Sequence, residues 1–426
     1  MLNYLQNFNV FCWGGPMLVI LLSVHIYLTI KSSFIQRHVF KGIAVSMGHG
    51  NGFKVLSTTL AATLGTGNII GVSTAIALGG PGALFWCLIT GIFGMATTYH
   101  ECYFATKYKT EEGGGAMYIL KNRLLKNKTA FFYAFFLILI CLSTGCLTQS
   151  NAVADSFDTV FNVHPVVTGL FVSGISGIVI IGGVNRIMDF CEKIVPVLCI
   201  IFIACLFWLL LLNVEFLPAA ISLVFKCAFT FESAGGGFAG SGIILAARYG
   251  IARGLFTNEA GLGSAGVFAG KSNLTAHEQG LVSMSATFWD TVVICTLTGL
   301  AIISNYLAHP SSVNGYSEGG YLAAAFTQIP YIGNTLLCLS ITGFALSTII
   351  GWFFIGEQAV TFIFKENKTR VLPYIKALYV FMVFAGCNFP LNTIWEIADT
   401  FNIFLIIPNV YVLLKLTGNT NPQAHD

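Results

Sequence analysis

The sequence predicts an all-α membrane protein of eleven transmembrane helices, ten of them arranged as two inverted five-helix repeats. Three observations predict it. The 426 residues are 55% hydrophobic and 9% charged, with a mean hydropathy of +0.78, whereas soluble domains carry about 25% charged residues. The basic residues fall on one side of a count of eleven spans. Two spans in corresponding places carry glycine clusters near their middles.

Apolar runs place the spans at 14–31, 55–79, 82–107, 130–157, 165–183, 191–213, 218–250, 281–304, 334–364, 371–387 and 391–415. About 20 residues at 1.5 Å rise cross a bilayer. The first run lacks a preceding basic region and a small-residue cleavage site, so it reads as a span, not a leader. With the amino terminus outside and the carboxyl terminus in the cytoplasm, every Lys and Arg except Lys226 falls in an inside loop. This orientation suits a multi-pass protein of the cell (inner) membrane.

Removing the first span leaves ten. Five is odd, so two five-helix halves run in opposite senses. The chain divides into 1–52 (extra helix and inner loop), 53–213 (first repeat), 214–415 (second repeat) and 416–426 (cytoplasmic tail). The helix 55–79 holds Gly65-Thr66-Gly67-Asn68 at its middle. Glycines weaken a helix, and unwound backbone inside a bilayer persists only where protein or a cavity satisfies it. Its counterpart, 218–250, carries Ser233 to Gly242 with five glycines in between and at the end. One such cluster is ordinarily close helix packing. A matched pair in inverted halves marks the midplane site of a secondary transporter.

At the first break, the outer half-helix offers amides of Thr66, Gly67 and Asn68 and a positive dipole end to a carboxylate. The inner half-helix offers the carbonyls of Ala61 to Leu64 to a sodium ion. Gln149, deep in 130–157, must find polar partners; an interhelical hydrogen bond and a ligand contact are equally compatible with it. Thr348 and Trp352 are four apart and share a helix face. Trp352 suits a wall that limits side-chain size, with ordinary packing as the alternative. Phe238 and Ile243, at and after the second break, are candidates for the opposite wall. Only Glu232 among the acids stands by a break in the sequence, which favours a neutral amino acid over a basic one. Glu357 reads as an inner-side salt bridge, Glu259 as a gate partner of an inner arginine, and Asp290 as either a proton relay or a buried acceptor. His25 reads as structural.

The motifs Ala-Ala-Thr-Leu-Gly-Thr-Gly-Asn68, Ala-Leu-Gly-Gly-Pro-Gly-Ala83, Gly-Met-Ala-Thr97, Glu-Lys-Ile-Val-Pro196, Ala-Gly-Gly-Gly-Phe-Ala-Gly240 and Gly-Leu-Phe-Thr-Asn-Glu-Ala-Gly-Leu-Gly-Ser264 resemble the alanine/glycine:cation symporter family of the amino acid–polyamine–organocation group. The resemblance spans nearly the whole chain. It implies a leucine-transporter-like fold, one extra amino-terminal helix before a five-plus-five core, and sodium-coupled import of alanine or glycine, with D-alanine in the same class. It implies a sodium site formed by the Ala61, Leu64 and Phe344 carbonyls with the Ser347 and Thr348 hydroxyls. It places Asn68, Gln149, Thr348 and Trp352 around the substrate. Two features depart from the family pattern: Ala265-Gly266 follows Ser264 where a proline is usual, and His100 precedes Glu101.

Other classes fit less well. The net charge is +3, with basic residues in short blocks and no face for nucleic acid. Twelve cysteines lie mostly inside spans without a C-x-x-C and read as small buried hydrophobes. Gly261-Leu-Gly-Ser-Ala-Gly266 spells a dinucleotide fingerprint, but no strand precedes it. Gly266 to Ser272 is one glycine short of a phosphate loop. No organic cofactor is expected, and the spans hold no nucleophile–base set for an enzyme. The partners are the amino acid, its ion and the lipid bilayer, and the unit is a monomer. Rival readings are a proton-coupled permease, a channel, and a sensor that binds without transporting.

Overall fold

The computed structural model describes residues 2–48, 52–230, 242–389 and 391–418, with the side chains of 2, 3 and 391–395 excepted. All regular structure among them is helical. The chain opens with α1 (Leu2–Gly14), α2 (Pro16–Lys31) and α3 (Val39–Met47). The first broken helix follows as α4 (Gly52–Thr63), a tight turn at Thr66–Asn68, and α5 (Ile70–Gly79). Next come α6 (Gly82–Lys107), α7 (Ala116–Tyr118), α8 (Asn127–Leu142), α9 (Thr148–Phe161), α10 (Pro165–Ile181) and α11 (Gly183–Leu212). The second half comprises α12 (Leu217–Phe229), α13 (Ile243–Asn258), α14 (Ser264–Ala269), α15 (Ala276–Thr287) and α16 (Thr296–Ala308). It ends with α17 (Tyr321–Phe326), α18 (Gly333–Ile363), α19 (Lys368–Gly386) and α20 (Leu391–Thr417).

Eight continuous helical stretches among the described residues are long and apolar enough to cross a membrane, and the α4–α5 pair makes a ninth, bent by 65°. The remaining expected spans are shorter in helical content. Residues 165–183 give the 17-residue α10. Residues 218–250 give α12 and part of α13, separated by 231–241, so the second break and Phe238 and Glu232 lie outside the described residues.

Two long spans change their winding midway. π-helical segments at Ser143–Leu147 and Phe288–Cys295 join α8 to α9 and α15 to α16. Such segments place an extra residue in a turn and recur at functional sites. Outward-facing Ile181, Leu211 and Phe225 are exposed, as lipid-facing side chains should be when lipid is as apolar as they are. All twelve cysteines are free thiols.

The centre is built on close backbone approach. Gly250 and Gly254 of α13 face α6, where a Cβ at Gly250 would strike the Ala83 carbonyl and the Trp86 side chain. Gly82 likewise lies against the backbone of Cys227. Small residues allow this contact, which in a membrane rests on dispersion more than on exclusion of water. At the α4 end of the molecule, Lys54 reaches across to α11 and pairs with Asp189 at 2.5 Å and Glu192 at 3.9 Å.

Glu357 departs from expectation. No ion pair to it occurs among the described residues, and its Oε2 is buried without a partner. Lys376 and Lys368 act on it electrostatically, but neither closes to an ion pair with this buried carboxyl group.

Gly250→Ala tests the α6–α13 contact. Overpacking of this kind costs about 1–3 kcal/mol, so the purified variant should unfold at a lower temperature in detergent than the parent. An unchanged melting profile would mean that α6 moves aside without strain.

Candidate functional site

The break between α4 and α5 is a hydrogen-bonded turn with specific side-chain partners. Gly65 is extended (φ −137°, ψ −156°). Its N–H donates to Asn68 Oδ1 at 3.1 Å, and the Asn68 N–H donates back to the Gly65 carbonyl at 3.3 Å. The Thr66 N–H donates to Gln149 Oε1 at 3.1 Å. On the inner side, Thr348 Oγ1 donates to the Leu64 carbonyl at 2.9 Å. Thus α9 and α18 each satisfy one of the backbone groups freed by the break. Gly65 is the residue that admits both. A Cβ there would lie 2.9 Å from both Gln149 Oε1 and Thr348 Oγ1.

This differs from the expectation that the amides of Thr66, Gly67 and Asn68 stand ready for a carboxylate. Those of Thr66 and Asn68 are already bonded within the protein, because a buried N–H left alone is costly. Two hydroxyls instead remain open. Thr66 Oγ1 and Thr144 Oγ1 are buried with no hydrogen-bond partner among the described residues. Thr144 belongs to the π-helical segment preceding Gln149, and Gln149 Nε2 donates to its carbonyl at 3.3 Å. Gly67 packs against α13, with Thr257 and Phe256 as its neighbours. Ile243, at the start of α13, is half-buried.

The five expected sodium ligands fall between α4 and α18. Leu64 and Thr348 touch directly. Ser347 Oγ donates to the Phe344 carbonyl at 2.8 Å. Ala61 lies behind Gly351, whose added Cβ would meet the Ala61 carbonyl carbon at 3.3 Å. All donors are oxygens, the chemistry a hard cation takes. A hydroxyl carries two lone pairs as well as its proton, so either side chain can turn its proton aside and present oxygen.

Asn68 carries the largest surprise. Its Nδ2 donates to Asp290 Oδ1 at 2.8 Å and to the Asp290 carbonyl at 3.2 Å. An acid therefore stands at the break, 222 residues from Asn68 in sequence, contrary to the expectation that only Glu232 lies near one. The second oxygen, Oδ2, accepts from Thr291 Oγ1 at 2.6 Å. Both carboxyl oxygens of Asp290 thus accept hydrogen bonds.

Glu259 is also corrected. It binds no arginine. Its Oε1 accepts from the Trp352 indole at 2.9 Å and its Oε2 from Ser264 Oγ at 2.6 Å. Trp352 is 1% exposed and its Cβ packs on Gly145 of the π-helical segment. The indole thus spans from the Gln149 helix to the turn after α13. Glu259 holds a left-handed backbone at φ 55°, a conformation uncommon outside glycine. The turn it begins is clamped by Glu101, which lies in α6. Glu101 Oε1 accepts from the N–H of Gly261 and Gly263 at 2.9 and 3.1 Å and from Asn409 Nδ2 at 2.6 Å. Gly261 and Gly263 have φ of 103° and 79°, so the dinucleotide-like glycines serve a turn. His25 is buried and bonds to Thr97 Oγ1 at 2.6 Å, a structural contact between α2 and α6.

Sequence reasoning missed the convergence of Asp290 and Thr257 on the break. The available signal was that each is a polar residue in a long apolar run. Nothing local says which distant groups they meet.

Trp352→Phe keeps the ring and removes the N–H, leaving a buried Glu259 oxygen unpaired. The expected loss is about 1–3 kcal/mol of stability, read from thermal unfolding in detergent. In a double-mutant cycle with Ser264→Ala the effects should not add; strict additivity would show the two bonds to be independent.

Comparison with known proteins completes the site. The profile of the sodium:alanine symporter family matches residues 1–426. The sodium/alanine symporter AgcS of Methanococcus maripaludis is 36% identical, over 98% of this chain and 95% of that protein. An uncharacterized transporter of Haemophilus influenzae is 35% identical, over 97% and 93% respectively. Among solved structures, the substrate-bound, outward-open state of a Na+-coupled sialic acid symporter superposes with a TM-score of 0.60 at 11% identity, covering 99% of this chain and 98% of the other.

Proposed function

Because the chain belongs to the sodium:alanine symporter family, we propose that it imports a small neutral amino acid, alanine or glycine with D-alanine in the same class, driven by sodium entering with it. The observation that carries this reading is the α4–α5 break. Leu64 presents a carbonyl to one helix and Thr66 presents an amide to another, with two unpartnered hydroxyls beside them. Half-helix ends of opposite polarity at one point suit a zwitterion and a cation together.

Sodium binds the Ala61, Leu64 and Phe344 carbonyls with the Ser347 and Thr348 hydroxyls, and Thr348 then releases the Leu64 carbonyl. The substrate lies at Thr66, Gly67, Asn68, Gln149 and Thr348. Its carboxylate takes donors from the Thr66 hydroxyl and Gln149 Nε2, which gives up the Thr144 carbonyl while Gln149 Oε1 keeps the Thr66 N–H. Trp352 limits the side chain, and Phe238 and Ile243 form the facing wall. Because Thr348 serves both sites, sodium and substrate each favour the arrangement the other needs, and that coupling is reciprocal.

The proposed architecture is eleven spans, with the five-plus-five inverted core over 53–213 and 214–415 after the extra helix. The amino terminus is outside and the protein acts as a monomer in the cell membrane. The full-length similarity to AgcS and the fold shared with a sodium-coupled symporter support this.

Uptake of labelled alanine into proteoliposomes should rise with an inward sodium gradient and vanish without one. Uptake driven equally by a proton gradient in sodium-free medium would refute sodium coupling. Ser347→Ala should raise the half-saturating sodium concentration about tenfold, a change of roughly 1.4 kcal/mol, while the preference for alanine over larger amino acids stays. Asn68→Ala and Gln149→Ala should abolish alanine binding in the folded protein; near-normal binding in both would remove them from the site.

A further inference from the structure

A groove opens on the outside of the helical bundle between α8 and α20. It measures about 430 Å³ and is lined by Lys128, Thr129, Phe132, Phe404, Ile407 and Pro408. The sequence builds both walls. Lys128 and Phe132 are four residues apart and share a face of α8. On α20, Pro408 lies inside the helix; it has no N–H, so the Phe404 carbonyl loses its helical donor. Such a proline is a common cause of helix bending, and it stands where the groove opens. Phe132 packs on Phe404 at 5.9 Å between ring centres, and Phe136 packs on Phe404 and Phe401 at 4.6 and 5.8 Å. These rings close the groove at the end away from Lys128.

The two ends therefore differ in character. The far end is aromatic and aliphatic, with Phe132 and Ile407 exposed. The near end carries Lys128, with Lys126 two residues before it. Lys415 lies seven residues after Pro408 and so on the same face of α20. All three lysines are exposed, and among the described residues none is held in an ion pair. No acid lines the groove. In the proposed orientation this end stands at the cytoplasmic surface, where anionic lipid attracts lysine. An apolar trough below a cationic rim has the charge and polarity of a phospholipid in reverse order of need: chain below, anionic head above.

The backs of the same two walls hold the 261–263 turn. Tyr133, next to Phe132, donates to the Leu262 carbonyl at 2.7 Å. Asn409, next to Pro408, donates to Glu101 Oε1 at 2.6 Å and to the Gly261 carbonyl at 2.9 Å. Whatever fills the groove bears on both residues that grip the turn from α8 and α20.

We propose that the α8–α20 groove binds one anionic phospholipid of the cytoplasmic leaflet, its acyl chain on Phe132, Phe404 and Ile407 and its head at Lys128, and that this lipid steadies the 261–263 turn. The proposal rests on the reading of the chain as a membrane carrier with α8 starting at the cytoplasmic side.

The test uses the full chain, purified in detergent and offered phosphatidylglycerol or phosphatidylcholine. Native mass spectrometry counts the lipid that stays bound, and alanine uptake is measured in proteoliposomes of either composition. The parent should retain one phosphatidylglycerol with about tenfold preference over phosphatidylcholine, and its uptake should be about threefold faster with the anionic lipid. Lys128→Gln should cut the preference about fivefold, the worth of one lysine near an anionic surface. Ile407→Trp fills the groove and leaves every lysine in place. It should lose the bound lipid, and its uptake should no longer respond to phosphatidylglycerol. If Ile407→Trp fails to fold, Lys128→Gln decides, because it changes an exposed residue. Equal retention of the two lipids by the parent overturns the proposal. So does a preference unchanged in Lys128→Gln, lipid retained by Ile407→Trp as by the parent, or a dimer of the chain in place of the lipid-bound monomer. Parent uptake indifferent to lipid overturns the effect on the turn. The lipid count does not depend on transport, so absence of alanine uptake in both membranes would refute the transport reading alone.

Discussion

The structure depends on one constraint: a helix interrupted inside a bilayer must have its freed backbone groups answered by the surrounding protein or by what the cavity holds. The interruption after Thr63 is answered from four directions. Asn68 closes the turn on Gly65, Gln149 takes the Thr66 amide, Thr348 takes the Leu64 carbonyl, and Asp290 anchors Asn68. The surrounding helices are placed where their polar residues can do this. Glycines let the bearing helices close in, Gly145 against Trp352 of α18 and Gly91 of α6 against Thr291. Polar satisfaction and small-residue packing are thus two sides of one arrangement.

That arrangement also explains how the site can change state. The bonds at the break join neutral groups for the most part, and each is of a kind a ligand can replace. A carbonyl that accepts from Thr348 can accept a cation instead, and the Gln149 Nε2 that donates to the Thr144 carbonyl can turn to a carboxylate. The exchange swaps one set of bonds for another at little net cost, so binding need not unfold anything. Trp352 and Glu259 carry the effect further, because the indole lies one helical turn from Thr348 and its partner begins the turn after α13.

Much of this was legible in the chain. Gly65 to Asn68 in a long apolar run marked the break, because glycine and unwound backbone have few reasons to occur there. Gln149, Ser347 and Thr348 were legible as polar residues in apolar company. The partners were not. Asn68 and Asp290 are joined by folding across the whole core, and periodicity carries no information about which helix faces which. Glu259 was read as seeking an arginine because acids near an inner face usually do; the indole that meets it comes from α18, far along the chain. Glu357 was legible in part, since Lys376 and Lys368 do act on it, though neither closes to an ion pair.

The Glu101 clamp has a mechanical meaning. One carboxyl oxygen gathers two amides of the 261–263 turn and the side chain of Asn409, and Asn409 also holds the Gly261 carbonyl. Three parts of the chain that are distant in sequence are riveted at a single atom. Any rearrangement that empties the carrier must transport α6, this turn and α20 as one rigid block, or tear several bonds at once. The flexing therefore belongs elsewhere, to segments whose polar links touch solvent, such as Lys54 of α4 with Asp189 and Glu192 of α11.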